Sequence, residues 1–417
     1  MGIITSLTRM WLTRSVRPFL FKNEYDQQLR FSDCDNLGLY VHIPFCKSLC
    51  SFCPYCKEPY TKARCDAYID ALLREIHLVG RQHCGKKRTT SLYFGGGTPA
   101  LAADRLREII DAIRTHFIIT EGIGVELHPD NVVPPVLQSL KDAGVTKISI
   151  GIQSFQEKYQ RILGRSRVNP AALQEALLEV PFETVSMDFI FALPTQTFED
   201  LKQDIDTAFQ IGANHVAMYP LIDFTFTASK VTPLPKREKR ALLDAITLYC
   251  LERGYTRRSI WTFSSQQGAN YSSMTRDNFL GFGCSATTLL KDQFKINTFS
   301  VEEYCRRIAD EALPTSLTLR FSPRQRMVYY LFWTAYTTEV DAGAFEAFFG
   351  VPLKRMYGAE LKIAQLLGLV TEAQGRYRMT LKGAFYYHHY ENFYTLAYID
   401  KMWGILRKEA FPEQLML

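Results

Sequence analysis

The chain has 417 residues, 47% of them hydrophobic and 22% charged, with 24 Gly and 18 Pro, a globular composition that excludes a disordered, collagenous or small disulfide-stapled protein. Its 49 basic and 43 acidic side chains leave a net charge of +6 spread along the chain, with no basic block, so nucleic acid is not an expected partner. The length suits two or three domains, or one large α/β barrel with an appendage.

Residues 1–22 carry Arg9, Arg14, Arg17 and Lys22 with no acid, and space Ile3, Ile4, Leu7, Met10 and Trp11 as on one helix face. The pattern predicts a helix that either packs on the body of the protein or makes a peripheral membrane contact through residues 1–22. There is no run of 18 apolar residues and no secretory leader pattern, so a cytoplasmic location is expected.

From about residue 37 to 222, short apolar runs alternate with amphipathic ones, the signature of repeated βα units and a parallel sheet. Strands are expected at Leu39 to Ile43, Ser91 to Phe94, Gly124 to Leu127, Lys147 to Ile150, Thr184 to Phe189 and His215 to Tyr219. A helix bearing Tyr68, Ile69, Leu72, Leu73 and Ile76 separates the first two, and others fall near 102–116, 132–143, 170–179 and 199–211. Six such units imply an α/β fold with an open (β/α)6 barrel. Residues 223–235 read as a connector, followed by a helix to about Glu252. Beyond 323 the order is helix (323–337), helix (341–348), helix (354–367), two short strands and a final helix, which is winged-helix-like. The second helix offers only Lys354, Arg355 and Lys362, too little for reading DNA. The expected division is an N-terminal extension over 1–36, a barrel domain with its extension over 37–295, and a C-terminal helical domain over 296–417.

Four of the ten cysteines, Cys46, Cys50, Cys53 and Cys56, fall within eleven residues, a density that points to metal before disulfides. The run Tyr40-Val-His-Ile-Pro-Phe-Cys46-Lys-Ser-Leu-Cys50-Ser-Phe-Cys53 sets three thiols at CxxxCxxC spacing just after a predicted strand. Structural zinc usually takes four ligands from two separated pairs, whereas three thiolates on one loop can hold a cubane 4Fe-4S cluster and leave one iron open. An open iron can chelate S-adenosylmethionine (SAM), and an electron passed to its sulfonium cleaves a carbon–sulfur bond to give a 5′-deoxyadenosyl radical. Cys56 is expected to be a neighbouring spare thiol rather than a fourth ligand. Cys34, Cys65, Cys84, Cys250, Cys284 and Cys305 are expected to be small buried hydrophobes.

With these cysteines, the turn Tyr93-Phe-Gly-Gly-Gly-Thr-Pro99 and the segments Ile148-Ser-Ile-Gly-Ile-Gln-Ser-Phe155 and Met187-Asp-Phe-Ile-Phe-Ala-Leu-Pro-Thr-Gln-Thr197 resemble the radical SAM superfamily. They are most similar to its branch typified by oxygen-independent coproporphyrinogen III oxidase, in order over about residues 37–290. The resemblance implies an enzyme whose cluster is held by Cys46, Cys50 and Cys53. It assigns Tyr40 and Glu126 to catalytic positions. It assigns Tyr40, Phe52, Gly96, Gly97, Thr98, Glu126, Gln153, Arg165, Asp188 and Ile222 to the cofactor, with Thr287 nearby. Chemically, the Arg165 fork suits a carboxylate, while Gln153, Asp188 and Glu126 suit ribose hydroxyls and an amino group. Read singly, a carboxylate after a strand is often a helix cap and Arg165 half of a surface ion pair.

The chain also departs from that branch. In the oxidase the fourth cysteine follows the third by two residues; here Cys56 follows Cys53 by three. The histidines that haem chaperones carry around a GxG are missing from the stretch Asn270 to Ala286. The branch's methyltransferases, thought to use two SAM molecules, tolerate these differences. The expected reaction is therefore C-methylation of an sp2 carbon of a planar apolar acceptor, a quinone or a tetrapyrrole, with a low-potential donor of the flavodoxin or ferredoxin type. Oxidative decarboxylation of a porphyrinogen propionate is the runner-up, and a haem-binding protein is the alternative from another class. The aromatics Tyr329, Tyr330, Phe332, Trp333, Tyr336, Tyr386, Tyr387, Tyr390, Phe393 and Tyr394 would line an acceptor cleft or pack a core. His388 and His389 are expected to be solvated or capping.

Overall fold

A computed structural model describes residues 3–24, 28–265 and 277–417. The apolar runs become six parallel strands, β1 (Leu37–Ile43), β2 (Leu92–Gly96), β3 (Ile123–Leu127), β4 (Lys147–Gln153), β5 (Thr184–Phe191) and β6 (His215–Pro220), neighbours in that order. Helices α1 (Lys62–Gly80), α2 (Ala103–His116), α3 (Pro134–Asp142), α4 (Pro170–Glu179) and α5 (Phe198–Gln210) return the chain between them. Their starts follow from local chemistry. Thr61 caps α1, Asn169 caps α4 ahead of Pro170, and Thr197 with Asp200 forms a capping box on α5. Leu106, Ile109, Ile110 and Ile113 of α2 bury its apolar stripe against the sheet, and the other helices follow the same rule. This is the open (β/α)6 arrangement read from the periodicity.

A seventh parallel strand, β7 (Asn278–Phe282), pairs on the far side of β1 with Gly281 opposite Tyr40, and periodicity did not reveal it. From β7 the sheet continues antiparallel through Thr287–Leu289, Gln293–Asn297 and Thr315–Arg320, then Leu20–Lys22 and Gln414–Met416. One sheet thus runs across the divisions at 36/37 and 295/296. The C-terminal region has helices Pro323–Tyr336, Ala342–Phe349 and Leu353–Leu366 and a three-stranded wing ordered Glu339–Asp341, Arg376–Met379, Val370–Ala373. It packs its own small core around Tyr330, Phe345, Leu353 and Tyr357. The last helix, Leu381–Tyr394, passes through a π turn at Thr395–Ile399 into Asp400–Leu406.

Two sequence expectations change, and a third is not tested. The stretch compared with the haem motif lies outside the described residues at 270–276. Cys84 is exposed and Cys305 half-buried, because their neighbours do not close over them; Cys34, Cys65, Cys250 and Cys284 are buried as expected. His388 is neither solvated nor a cap: it is 4% exposed and accepts a hydrogen bond from Trp261 Nε1 at 3.1 Å. Among the described residues no helix is long and apolar enough to cross a membrane.

Helix α1 bolts β1 to β7. The Tyr68 hydroxyl donates to the His42 carbonyl at 2.7 Å and accepts from the Cys284 amide at 2.9 Å. The Glu75 carboxyl accepts from the Gly283 amide (2.7 Å), the Tyr304 hydroxyl (2.6 Å) and the Asn297 amide (3.2 Å). Burial nonetheless pushes this carboxyl from an ordinary 4.5 up to about 7. A carboxyl harder to ionise in the folded chain than in the unfolded one gives stability that is full below pH 4.5 and is lost as pH rises through about 7. At about 1.4 kcal/mol per pH unit, that loss is roughly 3 kcal/mol. Glu75→Gln cannot ionise, so the decline in urea-unfolding stability between acidic and neutral pH should shrink by about that amount.

Candidate active site

The cysteine loop begins and ends on hydrogen-bonded backbone. Phe45–Cys46 pairs in parallel with Glu58–Pro59, the Glu58 amide donates to the Pro44 carbonyl at 2.7 Å, and the Tyr60 amide donates to the Cys46 carbonyl at 3.0 Å. Inside the loop, Lys57 Nζ donates to the carbonyls of Cys53, at 3.0 Å, and Cys50. From the C-terminal side, Arg407 donates to the Pro54 carbonyl and Trp403 packs its ring 5.9 Å from that of Tyr55. The turn after β2 closes onto this loop. At Gly97 a side chain would sit 2.6 Å from the Phe45 carbonyl and 2.9 Å from the Cys46 sulfur; Gly96 has φ +118° and would meet the His42 ring at 2.7 Å.

Strand register gathers the polar side chains. Glu126 lies opposite Ser149, Ser149 opposite Ser186, and Ser186 opposite His215 across β3 to β6. The Glu126 carboxyl accepts from the Tyr93 hydroxyl at 3.2 Å and the Gly96 amide at 3.1 Å. Ser149 donates to Asp188 at 2.9 Å, and Ser186, 3.3 Å from the same carboxyl, bridges to His215 Nδ1 at 2.8 Å. A bulge between Asp188 and Phe189 turns Gln153 to φ +70°, at the end of β4. Arg165 reaches back to the Gly151 carbonyl at 2.8 Å and lies 3.7 Å from the Cys50 sulfur.

These residues open on one cavity of about 1000 Å³ at the C-terminal ends of the strands. Cys46, Cys50, Phe52 and Cys53 line it, with Gly96, Gly97, Thr98, Glu126, Gln153, Arg165, Asp188, Ile222 and Thr287. Tyr40 does not: its ring stacks beside Tyr93 with centroids 6.4 Å apart, and its hydroxyl is 3.0 Å from His42 Nδ1. The far wall is aromatic, formed by Tyr329, Phe332, Trp333, Tyr387, Tyr394 and Tyr398, and the N-terminal helix Ile3–Thr13 adds Thr8, Arg9 and Leu12. Tyr330 instead packs in the small C-terminal core, and Tyr386 and Phe393 are exposed. Sequence reasoning missed Lys57, Ser149, Tyr93 and Arg407. Tyr93 and Ser149 had a signal, since they sit on the cavity face of strands already read, whereas Arg407 had none.

The electrostatics fit a cationic occupant. Burial pushes the Cys46 thiol up to about 11 against the Thr98 hydroxyl, 3.7 Å from the sulfur, which lowers it. Burial also raises the Cys53 thiol. It lifts Glu126 to about 7, helped by the charge of Asp188, and lifts Asp188 itself to about 6. Three thiols on one cavity, a cradle that admits no side chain and two half-buried carboxyls match the donor set of a 4Fe-4S cluster with one open iron and of a ligand bearing ammonium and sulfonium charge.

Residues 40–208 match the Radical SAM superfamily. The heme chaperone HemW of Bacillus subtilis is 26% identical over 362 residues, covering 82% of this chain and 95% of that one. The oxygen-independent coproporphyrinogen III oxidase of Cereibacter sphaeroides is 28% identical over 306 residues, covering 67% of this chain and 68% of that one. Among solved structures, the coproporphyrinogen III oxidase HemN of Escherichia coli shares the fold with a TM-score of 0.72 at 22% identity, over 88% of this chain and 90% of that one. With its three-thiol loop, glycine turn and ordered strand-end residues, the chain carries a radical SAM domain over residues 40–208 and is similar to heme chaperones and oxygen-independent coproporphyrinogen III oxidases.

Proposed function

We propose that this radical SAM enzyme methylates an sp2 carbon of a planar, apolar acceptor, a tetrapyrrole ahead of a quinone. The observation that carries this reading is a single cavity that runs from the three thiols to a wall of aromatic rings. The names of its relatives, which concern haem and coproporphyrinogen, favour the tetrapyrrole.

When held by Cys46, Cys50 and Cys53, a 4Fe-4S cluster supplies a low-potential electron and an open iron at which SAM is a source of carbon-radical chemistry. The protein's part is binding and exclusion. Arg165, beside Cys50, offers its fork to a carboxylate; Glu126 and Asp188 accept from ammonium or ribose hydroxyls; Gly96 and Gly97 line the same cavity. Gln153, turned by its bulge, and Ile222 frame the same space, in which a second SAM would serve as methyl donor. Tyr40 holds its place by orienting His42 behind the glycine turn. The rings make one wall of the cavity apolar, which helps to keep water from a reactive carbon centre. Leu7 and Trp11 of the N-terminal helix are 56% and 52% exposed, which keeps a peripheral lipid contact in the proposal.

Cys50→Ala should remove cluster iron and all SAM cleavage, while Cys56→Ala keeps nearly all the iron; iron and 5′-deoxyadenosine assays after anaerobic reconstitution check both. With methyl-labelled SAM, a reductant and a tetrapyrrole, the expected products are S-adenosylhomocysteine, 5′-deoxyadenosine and labelled acceptor. Carbon dioxide from a porphyrinogen would replace this reading with decarboxylation, and tight haem binding without turnover would replace it with a carrier. Phe332 packs 4.9 Å from Tyr394 and 5.4 Å from Tyr387 in the aromatic wall. Phe332→Ala should raise the acceptor KM by about tenfold, the worth of one aromatic contact, with a smaller change in kcat.

A further inference from the structure

Cys56 leaves the loop on the side away from the cavity. Its sulfur lies 3.2 Å from the Phe299 carbonyl and 3.9 Å from the sulfur of Cys284, on the turn after β7. His42, on β1, sits beside the pair, with Nε2 3.1 Å from the Cys56 carbonyl. One ring nitrogen and the two sulfurs lie within 4.8 Å of one another, and the three residues are 3%, 5% and 0% exposed.

We propose that His42, Cys56 and Cys284 form a second metal site, separate from the three-thiol loop, for a thiophilic d10 cation, zinc(II) ahead of copper(I). Ligand type selects the ion: two thiols and an imidazole with no carboxylate suit zinc or copper(I) and exclude magnesium and calcium. Spacing agrees, because zinc–sulfur bonds of about 2.3 Å at a tetrahedral angle set two sulfurs about 3.8 Å apart. Charge decides between the two ions: two thiolates and a neutral imidazole cancel zinc(II), whereas copper(I) would leave a net negative charge in a dry pocket.

The surroundings are those of a ligating histidine, whose second nitrogen is normally held by a hydrogen bond. Tyr40 occupies that place at 3.0 Å from Nδ1. On binding, both thiols release their protons to solvent. The ring proton moves to Nδ1, where it is donated to the Tyr40 oxygen, and Nε2 exchanges the Cys56 carbonyl for the ion. The Phe299 carbonyl is at hand for a fourth position. The ion would tie β1, the end of the cysteine loop and the β7 turn together. That gives Cys56 a role its spacing from Cys53 denies it in the cluster.

Iron and zinc analysis of the full chain, reconstituted anaerobically with iron, sulfide and one equivalent of zinc, tests this. Wild type should hold about one zinc beside the cluster iron. Cys284→Ser should lose the zinc and keep the iron, and Cys50→Ala the reverse. Zinc that survives Cys284→Ser but not Cys50→Ala would overturn the proposal and the cluster assignment together. A chain with cluster iron that binds neither zinc nor, in a parallel arm, copper(I) would overturn the proposal alone. So would a Cys56–Cys284 disulfide in anaerobically purified protein. If Cys284→Ser does not fold, zinc-edge X-ray absorption on wild type decides: two sulfurs with an imidazole nitrogen are expected, and a shell of four sulfurs or of oxygens alone refutes the site.

Discussion

Two stretches of backbone meet so closely at Gly97 that any side chain there would collide with the Phe45 carbonyl and the Cys46 sulfur. The contact is held by the Gly97 amide on the Ile43 carbonyl at 2.9 Å and the Thr98 amide on the Phe45 carbonyl at 2.8 Å. It fixes the first thiol against the end of β1 and β2, the rim at which an α/β sheet presents its ligands. Lys57 then gathers the loop from within, and Arg407 and Trp403 hold its outer side from the C-terminal helix. The thiol-bearing loop is thereby placed by the sheet and braced by the far end of the chain.

The same enclosure disfavours four of the anions around the site. Cys46, Cys53, Glu126 and Asp188 are all pushed toward their neutral forms, and burial is the leading cause for each. Lys57 works against that preference at Cys46 and Cys53, and a positively charged ligand would work in the same direction.

The barrel was legible because six βα units repeat one period and because the polar exceptions within buried strands are few. Glu126 and Asp188 stand out in otherwise apolar runs, and the glycine turn and CxxxCxxC spacing need no tertiary context. What escaped depends on partners distant in sequence. β7 is a five-residue strand with no helix of its own to announce it, and it pairs with β1 across more than two hundred residues. His388 read as one of an adjacent polar pair, and only the arrival of Trp261 buries it. The aromatic cluster of the C-terminal region could not be divided from sequence into core and cavity wall, since rings serve both; the fold sends Phe332 and Tyr394 to the wall and Tyr330 to the core.

The outer edge of the sheet is made from opposite regions of the chain, Leu20–Lys22 lying between Thr315–Arg320 and Gln414–Met416. During vectorial synthesis on the ribosome, Phe21 therefore waits for nearly four hundred residues before its second neighbour emerges. The barrel can condense early from local βα contacts, while this edge has the long loop closure of a late event. Until then the segment is an unpaired hydrophobic strand edge, the kind of surface that a nascent-chain chaperone shields.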